Sequence, residues 1–219
     1  MRPMVRKKKN NMKALKYVIS ILIIAVVGYN SVYFKKLDEV KKSAAAKFDA
    51  TAYAGKFFTD ALTPALDKAV NLDTLLQLLR TSKDKTFDTY SHALAIGNMR
   101  YFLVSGSGVI TAIRENDVQL QISTAGTNVT IATEFIYGNA ARDASGLIDI
   151  TAFSSTADLN NVSAELNKIA RVSVVRPFKA VVKKGDTVQF AGAIELNKEH
   201  FSTADIEIIP LRLHINNHP

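Results

Sequence analysis

The chain has 219 residues, 47% of them hydrophobic, with 28 Lys and Arg against 20 Asp and Glu and a net charge of +8. It contains no cysteine, which excludes a disulfide framework, a thiolate nucleophile, an iron–sulfur cluster, a cysteine zinc site and a lipidated cysteine. Seven of the positive charges (Arg2, Arg6, Lys7, Lys8, Lys9, Lys13 and Lys16) lie in the first sixteen residues, which hold no acid. The rest therefore carries +1 and offers no electrostatic case for nucleic acid.

Residues 1–16 read as a basic cytoplasmic tail facing anionic lipid. Tyr17 to Phe34 follows without a charge. A helix through it is about 27 Å long, just enough to cross a hydrocarbon core of about 30 Å. Two readings fit, an uncleaved membrane anchor and a cleaved secretory signal. Gly28-Tyr29-Asn30-Ser31 is a poor small-residue cleavage site, whereas Tyr29, Tyr33 and Phe34 before Lys35 and Lys36 form an aromatic belt with a basic edge. The anchor is therefore expected, with the basic flank in the cytoplasm and everything after Phe34 exported.

Residues 35–95 read as a helical stalk and subdomain. Asp49 can cap a helix over Phe48–Leu62, Pro64 marks a break or a new first turn, and Asn71 or Asp73 can open a helix with Leu72, Leu75, Leu76 and Leu79 on one side. A short third helix is expected from Asp84 to His92.

Within residues 96–219 the period changes to two. A strand over Tyr101–Ile113 carries Gly106 and Gly108, which suggest a bulge or sharp coil. Val118, Leu120 and Ile122 mark a second strand, and Val129, Ile131, Thr133 and Phe135 share one face of a third. Ile136 to Thr156 is irregular. Val162, Leu166 and Ile169 then form an amphipathic helix, with Asn160 or Asn161 as its cap. Strands resume after Pro177: Val188, Phe190, Gly192, Ile194 and Leu196 alternate on one, and Ile206–Ile215 is the last, with a bulge near Pro210. Three strands, a helix and two strands is the order of an OB-like five-stranded β-barrel. The expected class is thus α+β, with the first and fourth strands neighbours. A five-stranded sheet packed on the N-terminal helices is the alternative.

Chemistry is sparse. The densest polar group is Tyr137 to Ala144, where Asn139, Arg142 and Asp143 could line a ligand pocket, Arg142 forking onto a carboxylate or sugar hydroxyls. Equally, Arg142 and Asp143 could tie down a long loop. Asp143 and Asp149 are the only carboxylates in that loop for an acid–base pair of a carbohydrate enzyme. Ser105, Ser107 and Ser154 lack a nucleophile-elbow context. His214 and His218 have metal-ligand spacing only on a helix. No catalytic set, metal site or cofactor is called for.

The pieces FDATAYAGKFF (48–58), TPAL (63–66), LDTLLQLL (72–79), YFLVSGSGVI (101–110), GNAARDASGLIDITAF (138–153), Leu166-Asn167, GDTVQFAGAIEL (185–196) and IEIIPLRLHI (206–215) stand in one order. In that order the chain resembles a bacterial family of predicted periplasmic lipoproteins of unknown function, often encoded beside ribose-type sugar ABC transporters. The resemblance covers about residues 36–215, with Ala141 to Ala144 its most specific piece. It implies a periplasmic compartment and an accessory role beside sugar-transporter components or a small carbohydrate. It also points to Asn139, Arg142 and Asp143, with Asn167 nearby, as the candidate ligand-binding positions. The family name implies a lipidated cysteine, which this sequence lacks, so attachment falls to Tyr17–Phe34.

Overall fold

The computed structural model describes residues 11–31, 48–122 and 127–216. It divides into two compact units, residues 1–47 and 48–219. In the first, helix α1 runs over Asn11–Ser31. Its apolar side chains from Leu15 to Val27 are exposed. Val32, Tyr33 and Phe34 of the expected span lie outside the described residues. Among the described residues, no helix is long and apolar enough to cross a membrane.

The second unit opens with helix α2 (Ala50–Phe57), whose first turn is capped by Asp49 accepting from the Ala52 N–H. A π turn (Phe58–Leu62) joins it without a break to α3 (Thr63–Leu66). Pro64 is accommodated because the wider π turn has already displaced the carbonyls a proline ring would meet. Strand β1 (Val70–Asn71) leads into α4 (Leu72–Thr81), capped by the Asn71 side chain, then α5 (Lys83–Tyr90) and β2 (Ser91–His92). The barrel strands are β3 (Met99–Ile113), β4 (Asp117–Ile122), β5 (Asn128–Ala132), β6 (Thr187–Asn197) and β7 (Glu207–Asn216). Between β5 and β6 come α6 (Ala140–Asp143), α7 (Thr156–Ile169), a second π turn (Ala170–Val175) and α8 (Arg176–Val181).

The five strands close in the order β3-β4-β5-β7-β6 and back to β3. β3 pairs with β6 from Met99 to Val109 and with β4 from Gly108 to Ile113, so one coiled strand belongs to both sides of the seam. β5 and β7 run parallel, the remaining pairs antiparallel. This is an OB-like barrel, with the first and fourth barrel strands adjacent as the order implied. The bulge near Pro210 is present, between Gly192↔Pro210 and Ala191↔Arg212.

Four details differ from the sequence reading. The bulge of β3 falls between Ile110 and Ala112, not at its glycines. Those glycines serve close packing: a Cβ on Gly106 would lie 2.7 Å from the Phe190 ring, and one on Gly108 2.7 Å from the Gln121 carbonyl. β5 stops at Ala132, leaving Phe135 exposed, because the Thr133 and Glu134 N–H groups turn to the Asn116 carbonyl. α7 starts a turn earlier than Asn160, because Ser155 caps it, accepting from the Asp158 N–H at 3.1 Å. After Pro177 the chain stays helical to Val181, again because a π turn precedes the proline.

The core has two parts. Inside the barrel, Phe102, Ile110, Leu120, Ile131, Ile194 and their neighbours meet Leu72, Leu75, Leu76, Leu79 and Phe87 of α4 and α5. Outside it, α2 and α7 pack on Tyr101, Ala191, Ala193, Ile209 and Leu211. The helices of residues 48–95 therefore share their cores with the barrel, and β6 is buried on both faces. Gly192 sits at the tightest point: an added Cβ would strike the Ile209 carbonyl and lie 2.9 Å from Ile208 Cγ2. Gly192→Ala should lower stability by about 1–3 kcal/mol through overpacking. Gly55→Ala, in α2 with open space around it, should raise stability by about 0.5–1 kcal/mol. Denaturant melts in which Gly192→Ala is neutral would contradict this packing.

Candidate functional site

The segment from Thr133 to Ser155 carries Asn139, Arg142 and Asp143, and its α-helical turn, α6, faces α7, which carries Asn167. Arg142 and Asp143 are 3% and 2% exposed. The guanidinium forks onto its neighbour: Nε donates to Asp143 Oδ1, and Nη2 donates to Oδ2 at 3.0 Å. Nη1 donates to Ser163 Oγ on α7 at 3.0 Å. The Ser163 hydroxyl lies 3.3 Å from Asn139 Oδ1 and 3.4 Å from the Leu159 carbonyl, either of which can take its proton. Asp143 Oδ2 also accepts from the Leu94 N–H at 3.4 Å. Asn167 Nδ2 donates to the Gly138 carbonyl at 2.9 Å. The four candidates thus belong to one network that ties the loop to α7 and to the chain before β3. Burial holds the Tyr101 phenol above its usual range, with Glu195 and then Asp143 adding to the shift, while its bond with Asn139 and the Arg142 charge oppose it.

The loop fits because Ala140, Ala141 and Ala144 are small enough to enter the core shared by α2 and α7. Gly146 has φ +67°, and a Cβ there would strike the His92 ring, so only glycine closes the turn.

This network separates the candidates. Arg142 and Asp143 are neutralised by each other and spent on internal bonds, the geometry of a structural tie. Asn139 and Asn167 line a surface cleft of about 360 Å³ with Asn160, Ser163, Tyr137 and Arg171. The Arg171 guanidinium lies 5.6 Å from the Tyr137 ring centroid, and its Nη1 donates to the Ile136 carbonyl. Phe135 and Tyr137, 57% and 65% exposed, stand with their centroids 6.4 Å apart beside it. Asn167 Oδ1, in a residue 4% exposed, has no hydrogen-bond partner.

The residues that composition alone passed over are Phe135, Asn160, Ser163 and Arg171. Their signal was a polar stripe: Asn160, Ser163, Asn167 and Arg171 recur at spacings of three and four, one helix face. Asp143 and Asp149 do not form an acid–base pair. Asp143 is bonded to Arg142. Asp149 is exposed and caps a single 3₁₀ turn, its carboxyl held below the usual range by the Thr151 hydroxyl and N–H. Among the described residues no group of three His, Asp or Glu side chains could hold a metal ion, and His218 lies outside them.

A closed five-stranded barrel with a helical layer and a tied-down loop is an OB-like fold. A crystallised OB-fold protein from Thermotoga maritima is similar over 77% of this chain and 99% of its own, with 24% identity and a TM-score of 0.69. The family model for predicted periplasmic lipoproteins (DUF2291) matches residues 22–214, and the chain belongs to that family. Membership makes it an extracytoplasmic protein of the cell envelope. Among curated proteins, none matches this sequence.

The network sets a stability test. Arg142→Ala leaves Asp143 buried without its partner and should cost about 3–5 kcal/mol. The double change Arg142→Met with Asp143→Leu should recover most of that loss. A melt of Arg142→Ala indistinguishable from wild type would mean the pair ties nothing down.

Proposed function

We propose that the protein is a membrane-anchored accessory module that holds a small carbohydrate in the Tyr137–Asn167 cleft, in the service of a sugar uptake transporter. The observation that carries the sugar reading is the pairing of exposed rings with amides. Phe135 and Tyr137 offer flat apolar faces, against which the C–H face of a sugar can lie. The exposed Asn160 amide brings both a donor and an acceptor, Asn139 lines the same wall, and Asn167 adds an acceptor oxygen with no partner in the protein, which matches hydroxyl groups that both donate and accept. The buried Arg142–Asp143 tie keeps this wall rigid, so little ordering cost falls on binding. Family membership and the envelope compartment support the transporter link. The charge-free run Tyr17–Phe34 behind a basic tail supports attachment by the chain itself, since the sequence has no cysteine to carry a lipid.

Titration calorimetry of the full chain against a panel of pentoses and hexoses should show saturable binding to at least one. Tyr137→Ala and Asn160→Ala, both at exposed positions, should abolish binding and leave the melting temperature unchanged. A silent panel, together with affinity capture from membranes that recovers no transporter or solute-binding component, sinks the reading. Attachment has its own test. N-terminal sequencing of membrane-extracted protein should begin before Tyr17, and a mature start after Ser31 would refute the anchor.

A further inference from the structure

The outer face of the barrel carries a second composite cleft that shares no lining residue with the Tyr137–Asn167 site. Its larger part, about 610 Å³, has a mixed lining: Phe58, Val174 and Val181 of the two helix pairs give it an apolar side, while Thr63, Ser173, Arg212 and His214 add polar surface. Beside it lies a polar part of about 330 Å³, lined by Asn71, Ser105, Ser107 and Gln189. Arg212 and His214 line both and form the boundary between them.

Strand register explains this division. Ser107, Gln189 and His214 stand in one row across β3, β6 and β7, and Ser105, Ala191 and Arg212 in the next. Residues opposite one another in an antiparallel pair share a face, so both rows point away from the barrel interior that Phe190 fills. The apolar walls come from the two places where long helices bend. The π turns Phe58–Leu62 and Ala170–Val175, each followed by a proline, border the same cleft. Such turns recur at functional sites because they re-aim a helix surface.

The volume lies within the range of about 300–1,000 Å³ that holds a small organic ligand. Charge narrows the choice. No carboxylate lines either part, while a guanidinium and an imidazole stand at their junction. Arg212 Nη1 donates to Asp67 at 2.8 Å, which uses one of its five N–H groups, and the Asp67 side chain is itself mostly exposed. Neutral hydroxyl and amide groups fill the rest of the polar part. An occupant with one apolar chain and one anionic end matches each wall in turn.

We propose that this cleft binds a single-chain amphiphile with a carboxylate head, its chain along Phe58, Val174 and Val181 and its head at Arg212 and His214.

The test is photolabelling of the full chain in liposomes with a diazirine-bearing C16 fatty acid, followed by peptide mapping. Label should appear on the peptides carrying Val174–Val181 and Leu211–Ile215, and excess palmitate should compete it away. Val181→Glu places a charge on the apolar wall at an exposed position and should cut that labelling about tenfold, with the melting temperature unchanged. Arg212→Gln should remove the preference for the acid probe over the corresponding C16 diazirine alcohol. Label confined to Val18–Val27, label that palmitate fails to displace, or label undiminished in Val181→Glu overturns the proposal. Equal labelling by acid and alcohol in the wild type overturns the assignment of the head. Asn167→Ala, in the separate sugar cleft, should leave the labelling intact, so failure of one site does not decide the other.

Discussion

Everything in the second unit depends on β3 pairing with two strands at once. It gives its first eleven residues to β6 and its last six to β4, overlapping at Gly108 and Val109. A strand can do this only by coiling strongly, and coiling brings backbone and rings to distances that no Cβ tolerates. Gly106 meets the Phe190 ring and Gly108 the Gln121 carbonyl for that reason. Closure then removes the exposed edges that an open five-stranded sheet would present. It also fixes which residues face out, and the outward residues decide where helices can dock. Ala191 and Ala193 let α2 and α7 approach, whereas Gln189, Arg212 and His214 keep a polar patch uncovered.

The helical layer is built under a second constraint, since two prolines fall within otherwise continuous helices. A proline inside a regular helix costs about 3 kcal/mol or more. Here each is preceded by a π turn, and Thr63 Oγ1 donates to the Phe58 carbonyl at 2.8 Å, adding a bond at the widened turn. Both helix pairs line one cleft on the outer face of the barrel, beside β7.

Most of the barrel was legible because period-two runs, turn residues and element order are local signals. The strand order, the adjacency of β3 and β6 and the bulge beside Pro210 all follow from them. What escaped depended on tertiary context. Pro64 read as a break or a new first turn, and the second of these is what it is; Pro177 read as the point after which strands resume, because π turns have no simple sequence signature. Phe135 read as part of the third strand, on one face with Val129 and Ile131, yet β5 ends at Ala132, where the Asn116 carbonyl captures the next two N–H groups. The start of α7 was legible in principle, since Ser155 and Asp158 form a capping pair. At the site, the loop residues stood out by charge density, but the stripe of Asn160, Ser163 and Asn167 on α7 with Arg171 in the following π turn became visible only once the helix boundaries were right.

The buried Arg142–Asp143 pair carries a cost that its position explains. Desolvating both groups is expensive, and a hydrophobic pair of the same shape often serves stability as well or better. A loop of more than twenty residues cannot be held by apolar contacts alone, because its backbone carbonyls and N–H groups need partners. The ion pair answers that need in one step: the carboxylate takes the Leu94 N–H, the guanidinium takes Ser163, and Ser163 reaches Asn139. A leucine and a methionine would fill the space but could direct none of these groups. The pair therefore specifies a loop conformation more than it stabilises the fold. That conformation sets Tyr137 and Asn139 against Asn160 and Asn167, so the chemistry of the cleft is decided by residues that do not line it.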